Sequence, residues 1–135
     1  MNREIKFRVW DKKKKKMFYS YDNFLKLEGN LWSLWEMPIG KDKLKLLTNH
    51  SNGVLQQFTE LKDKNGKEIY EGDIINKGNG LKPFLVKDIR TDTIKLARMI
   101  QFEQNNKNTP QFKIIGNIYE NKELLKELKG GGLNE

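Results

Sequence analysis

Turn-forming residues interrupt this chain at short intervals, and nearly every piece between them carries a β-type pattern, so long helices and large parallel sheets have little room to form. From Arg3 to Trp10 the apolar Ile5, Phe7 and Val9 alternate with Glu4, Lys6 and Arg8. Successive side chains of a strand point to opposite faces, so a period of two marks a strand buried on one side. Trp10 breaks the alternation, Lys12 to Lys16 read as a solvated loop, and Met17, Phe18 and Tyr19 return as a second strand, which predicts an amino-terminal β-hairpin. Leu25 and Leu27 lead through Glu28-Gly29-Asn30 into Leu31-Trp32-Ser33-Leu34-Trp35, a second hairpin with a glycine-bearing turn. Between Pro38 and Gly53 the run Leu44, Leu46, Leu47 fits one helical turn or a short strand, because it is too brief for periodicity to arbitrate.

Val54 to Thr59 reads as a strand, and in Asp63-Lys64-Asn65-Gly66 the Asn-Gly pair suits a tight turn. Ile69-Tyr70, Ile74-Ile75, Phe84 to Ile89, Ile94 to Ile100 and Phe112 to Tyr119 follow as further β-type runs. Asn121 is placed to cap a helix through Leu128, with Leu124, Leu125 and Leu128 on one face, Glu123 at its positive start and Gly130 as a stop. The expected fold is mainly β, α+β only by that short carboxy-terminal helix. It combines amino-terminal β-hairpins with a small barrel-like second half. Gly72-Asp73-Ile74-Ile75 followed by Gly78 favours an SH3-like barrel there. A length of 135 residues suits one domain, taken as 1–129 with sub-modules 1–53 and 54–120, and 130–135 as a flexible tail.

Three ordered blocks carry a family resemblance: Arg3-Glu4-Ile5-Lys6-Phe7-Arg8-Val9-Trp10-Asp11, then Leu61-Lys62-Asp63-Lys64-Asn65-Gly66-Lys67-Glu68-Ile69-Tyr70-Glu71-Gly72-Asp73-Ile74, then Ile115-Gly116-Asn117-Ile118-Tyr119-Glu120-Asn121. Together they resemble the YopX family of phage- and prophage-encoded proteins. The resemblance implies a phage origin and a β-rich fold, and brings no catalytic residues to transfer. One departure stands out: the family pattern commonly has a glycine before the Leu-Lys-Asp block, where this chain has Glu60. If that glycine serves a positive φ angle, the bend is expected to be made differently here.

Composition removes several chemistries. With no cysteine there are no disulfides, thiolate zinc sites or cysteine nucleophiles, and one histidine cannot build a multi-histidine metal site. No stretch approaches the roughly 18–20 apolar residues of a membrane-spanning helix, and the first residues do not resemble a signal peptide. A cytoplasmic protein with no membrane association is expected, in the host cell's cytoplasm given the phage-type resemblance. The net charge of +8 is local: residues 1–20 hold eight basic and two acidic side chains, a net of +6, which leaves +2 for the other 115 residues.

The basic segment Lys12, Lys13, Lys14, Lys15 and Lys16, with Arg8 and the aromatic Trp10, Phe18 and Tyr19, is the candidate nucleic-acid contact, since phosphates attract the charges and exposed rings stack on bases. The competing reading is a solvated hairpin tip over buried rings. Trp32 and Trp35, among Leu31, Leu34 and Met37, are the candidate protein interface, against the alternative of core packing. Glu68, Glu71 and Asp73 form a dense acidic cluster, but Glu71-Gly72-Asp73 also reads as a turn entering a strand, and no metal site is assigned. Asp63-Lys64-Asn65-Gly66 lacks the ligand spacing of a calcium loop, and nothing places His50 as a base for Ser51. No phosphate loop, dinucleotide fingerprint or nucleophile constellation is present, so neither a catalytic site nor a cofactor is expected. The reading is a non-enzymatic accessory protein that binds a protein partner or self-associates. Nucleic-acid binding through the amino-terminal hairpin is the first alternative, and an enzyme or metal protein with an unrecognised site is the second.

Overall fold

A computed structural model describes residues 6–20, 23–77, 82–105 and 112–130. The chain divides into two compact units, Met1–Gln57 and Phe58–Glu135. Arg3, Glu4, Ile5, Gly78 and the tail beyond Gly130 lie outside the described residues. The protein is mostly β, as expected.

In the first unit the predicted hairpin forms from β1 (Phe7–Asp11) and β2 (Lys16–Tyr19), paired antiparallel with Val9 opposite Phe18. The other edge of β1 pairs with the start of β6 (Gly53–Lys62), Val9 opposite Leu55. The second hairpin forms from β3 (Phe24–Glu28) and β4 (Leu31–Glu36), turning at Gly29 with φ +61°. β5 (Lys45–Asn49) adds to β4, so Leu46 and Leu47 of the ambiguous run fall in a strand and Leu44 just before it: a ladder partner decides what a short apolar run could not. Val9, Phe18 and Leu34 are buried together, with Leu25, Trp32, Leu47 and Leu55 packed on them. Gly53 is forced by this packing, because a Cβ there would meet Trp32 Cη2 and Val9 Cγ1 at 2.7 Å.

The later residues of β6 pair with β7 (Glu68–Tyr70), Phe58 opposite Tyr70 and Lys62 opposite Glu68, with a bulge between them. Glu60 sits in that bulge at φ +72°. The bend is therefore made with the positive φ itself, carried by a glutamate, and the expectation of a different geometry is corrected. The Thr59 hydroxyl supports it by donating to the Ile69 carbonyl (2.7 Å) and accepting from the Leu61 amide (3.1 Å).

In the second unit, β8 (Asp73–Asn76) lies between β10 (Lys113–Asn117) and β9 (Phe84–Leu85). The predicted turn forms with Gly66 at φ +81°. Asp63 organises it, its Oδ1 accepting from the amides of Asn65 (2.9 Å) and Lys67 (3.0 Å) and its Oδ2 from the Ile114 amide (3.1 Å).

The expected strand at Ile94 to Ile100 is a helix instead, α1 (Thr91–Asn105). Leu96 is buried and Met99 and Ile100 pack beside it on a core of Ile69, Ile75, Phe84, Val86, Phe112 and Ile114. That spacing is helical, and Ile94, which suggested alternation, is exposed. The helix start is built by carboxylates: Asp92 Oδ2 accepts from the amides of Lys87 (2.8 Å) and Asp88 (2.7 Å), and Asp88 Oδ1 from Arg90 (2.9 Å) and Thr91 (3.3 Å). The run expected from Phe84 to Ile89 is thereby shortened to β9. SH3-like closure is not seen among the described residues.

The carboxy-terminal helix is present as α2 (Lys122–Gly130). Asn121 acts differently from a simple cap: its Oδ1 accepts from the Asn117 amide (3.0 Å), while its carbonyl accepts from the Leu124 amide (3.0 Å).

Candidate functional site

The lysine run begins where β1 ends. The carboxylate of Asp11 gathers the turn, Oδ1 accepting from the amides of Lys13 (2.9 Å) and Lys14 (2.8 Å), while its carbonyl accepts from the Lys15 amide (2.8 Å). Lys15 takes φ +54° to close it. Burial alone would raise the Asp11 pKa, but the hydrogen bonds from the Lys14 and Lys13 amides and the Lys14 charge outweigh it and hold the pKa below the ordinary value. Lys12 to Lys16 are all exposed.

The neighbouring rings are not free to stack. Phe18 is buried, with the ammonium groups of Lys16 and Lys14 at 5.1 and 5.8 Å from its ring centre, and Trp10 and Tyr19 are half-buried. Arg8 is 3% exposed and its Nε donates to Gln56 Oε1 at 2.7 Å, so it does not join the exposed lysines.

The tryptophans divide between the two faces of the β3-β4-β5 sheet. Trp32 packs on the core beside Leu34. Trp35 is half-buried, donates to Ser33 Oγ (2.8 Å), and lies opposite Phe24 on one side and Leu46 on the other. Phe24, Leu31 and Leu46 are exposed by 56%, 53% and 43%, so this face shows water an apolar row. Met37, Ile39 and Leu44, in the β4–β5 connection, are exposed too.

Two members of the acidic cluster are held by Tyr70. Asp73 is buried and its Oδ2 accepts from the Tyr70 amide (2.8 Å), and Glu68 Oε1 accepts from the Tyr70 hydroxyl (3.2 Å). Among the described residues no group of three or more His, Cys, Asp or Glu could hold a metal ion. His50 turns its Nδ1 toward the Trp32 carbonyl (3.4 Å), and the Ser51 amide donates to Asn49 Oδ1 (3.0 Å).

Sequence reasoning missed a cleft of about 450 Å³ in the second unit, lined by Lys77, Lys82, Pro83, Phe84, Lys95, Arg98 and Met99. Its cations come from three separated stretches and are diluted by acids elsewhere in the same half, so no local charge count marks them.

Among the described residues no helix is long and apolar enough to cross a membrane. No curated protein matches the chain. Of the solved structures it is similar to the protein yopX from Bacillus subtilis, with 22% identity and a TM-score of 0.54 over 88% of this chain and 96% of that one. It is also similar to the protein EF1440 from Enterococcus faecalis, with 24% identity and a TM-score of 0.50 over 92% of this chain and 99% of that one. At these identities the likeness is one of fold. The model of the YopX protein family matches residues 6–126, covering all but the two ends of the sequence, and the chain belongs to the YopX family.

Proposed function

We propose that the protein is a phage or prophage accessory protein that works by binding, in the host cytoplasm, to a protein partner or to a second copy of itself. The observation that carries this reading is the apolar row Phe24, Trp35, Leu46 on the outer face of the three-stranded sheet. Aromatic and aliphatic side chains left in water are the raw material of interface hot spots, and β3 and β5 also lie at the edges of their sheet. Of the groups that a catalytic reading would recruit, Asp73 accepts from the Tyr70 amide, Glu68 from the Tyr70 hydroxyl, and His50 turns toward the Trp32 carbonyl. The test is light scattering across a concentration series, joined to affinity capture from infected cells, for the wild type and for F24S/L46K. Loss of self-association or of a captured protein in the variant supports the reading. A wild type that is monomeric throughout and captures the same proteins as the variant overturns it.

A second reading, nucleic-acid contact, is favoured by the exposed ammonium groups at the tip of the first hairpin. Contact there would be to phosphates and not to bases, because Phe18 is buried beneath the lysines. Replacing Lys12 to Lys16 with serine should then weaken DNA binding equally across sequences and flatten its salt dependence. DNA affinity unchanged by the replacement would remove this reading.

A further inference from the structure

We infer that the cleft beside α1 is a binding site for a small phosphorylated ligand carrying a flat apolar group, of the nucleotide kind. Three elements build it. β8 and β9 are adjacent antiparallel strands, Ile75 opposite Phe84, so Lys77, just past the end of β8, and Lys82-Pro83, just before β9, come to the same end of the ladder. Helix α1 supplies Lys95 and Arg98, three residues apart and therefore on one side of the helix, with Met99 next to them.

The floor and the rim differ in chemistry. Pro83, Phe84 and Met99 give an apolar floor, and the Lys77 ammonium stands 6.0 Å from the centre of the Phe84 ring. Lys77, Lys82, Lys95 and Arg98 supply four cations, and among the described residues no acidic side chain lines the cleft. Among the described residues no carboxylate pairs with Lys77, Lys95 or Arg98. Gathering the charges of Lys77, Lys95 and Arg98 with no paired carboxylate among the described residues is unfavourable, and a dianionic phosphate reverses the sign of that term. Arg98 adds a planar fork that fits two phosphate oxygens at once, and the lysines act as point charges around it.

The size selects against a bare ion. About 450 Å³ falls within the roughly 300–1,000 Å³ typical of small-ligand sites. An inorganic anion would satisfy the rim and leave the apolar floor wet, whereas a ligand with a ring and a phosphate uses both. The oligomeric state and the outer sheet face of the first unit play no part in this inference, so it stands or falls separately from the proposed function.

The test is calorimetric titration of the full chain with adenosine monophosphate, adenosine and inorganic phosphate. It compares the wild type with K95S/R98S and with K12S/K13S, which removes the same charge from the hairpin loop. Lys95 and Arg98 are exposed and repel their cationic neighbours, so their replacement should not lower the unliganded melting temperature. The expected result is that adenosine monophosphate binds at least about tenfold more tightly than either adenosine or phosphate. K95S/R98S should lose at least about tenfold of that affinity while K12S/K13S keeps it, tenfold being the change expected for a lost charged contact. No binding of adenosine monophosphate at millimolar concentration, equal losses in the two variants, or binding of single-stranded DNA alone would overturn the inference.

Discussion

Glu60 holds φ +72° at a bulge where a side chain other than glycine is strained. For an L-residue that conformation costs about 1–2 kcal/mol, and glycine returns about 0.5–1 kcal/mol of it as extra chain entropy in the unfolded state. Glu60→Gly should therefore stabilise the protein by roughly 0.5–1 kcal/mol, read as a higher denaturation midpoint at an unchanged denaturant slope. A lower midpoint would mean that the glutamate side chain contributes more than its backbone costs. Asp11 makes a second prediction, from its depressed pKa. A carboxyl whose folded pKa lies below its unfolded one stabilises the fold above the unfolded value, about 3.9, and loses that contribution as pH falls through the folded value. Asp11→Asn should be less stable than the wild type at neutral pH, and the gap should close below about pH 4. Denaturation midpoints measured from acid to neutral pH check this, and a gap constant with pH would refute it.

The hairpins and turns were legible in the sequence because their signals are local. Gly29 and Gly66 stand at positive φ where glycine-bearing turns were expected. Two of the three blocks that carry the family resemblance are turn machinery: Asp63 holds three amides, and Asn117 Oδ1 accepts from Tyr119 (3.0 Å) and Glu120 (2.8 Å). Such residues mark a fold and not a chemistry. Helix α1 was misread because Ile94 and Leu96 imitate a strand, while the informative spacing is Leu96, Met99, Ile100. Its start signal, Asp88 with Asp92, was present but is read only once the amides it serves are known. Asp92→Ala should leave the Lys87 and Asp88 amides without their acceptor and cost about 1–2 kcal/mol, with helical circular dichroism lost at lower denaturant. A change within about 0.5 kcal/mol, as for an ordinary surface position, would show the helix start to be held by packing alone.

The whole chain offers two separate spectroscopic windows on its units. Trp10, Trp32 and Trp35 all fall in the first, whereas α1 and α2 both fall in the second. Strand β6 is hydrogen-bonded to β1 through its first residues and to β7 through its last. Unfolding followed by tryptophan fluorescence and by helical circular dichroism should therefore give coincident midpoints, the mark of a single cooperative transition. Separated midpoints would show that the units unfold independently. The first two hairpins, the turns at Gly29 and Gly66 and the terminal helix were legible from neighbours within a few residues of one another, because period, turn chemistry and capping act over that range. Which face of the Trp32 to Trp35 strand meets water, which reading of Leu44 to Leu47 wins, and the convergence of Lys77, Lys82, Lys95 and Arg98 on one cleft depend on pairing and packing between distant segments. A one-dimensional charge count spreads those four cations among the acids of the same half. Only the meeting of β8, β9 and α1 makes them neighbours.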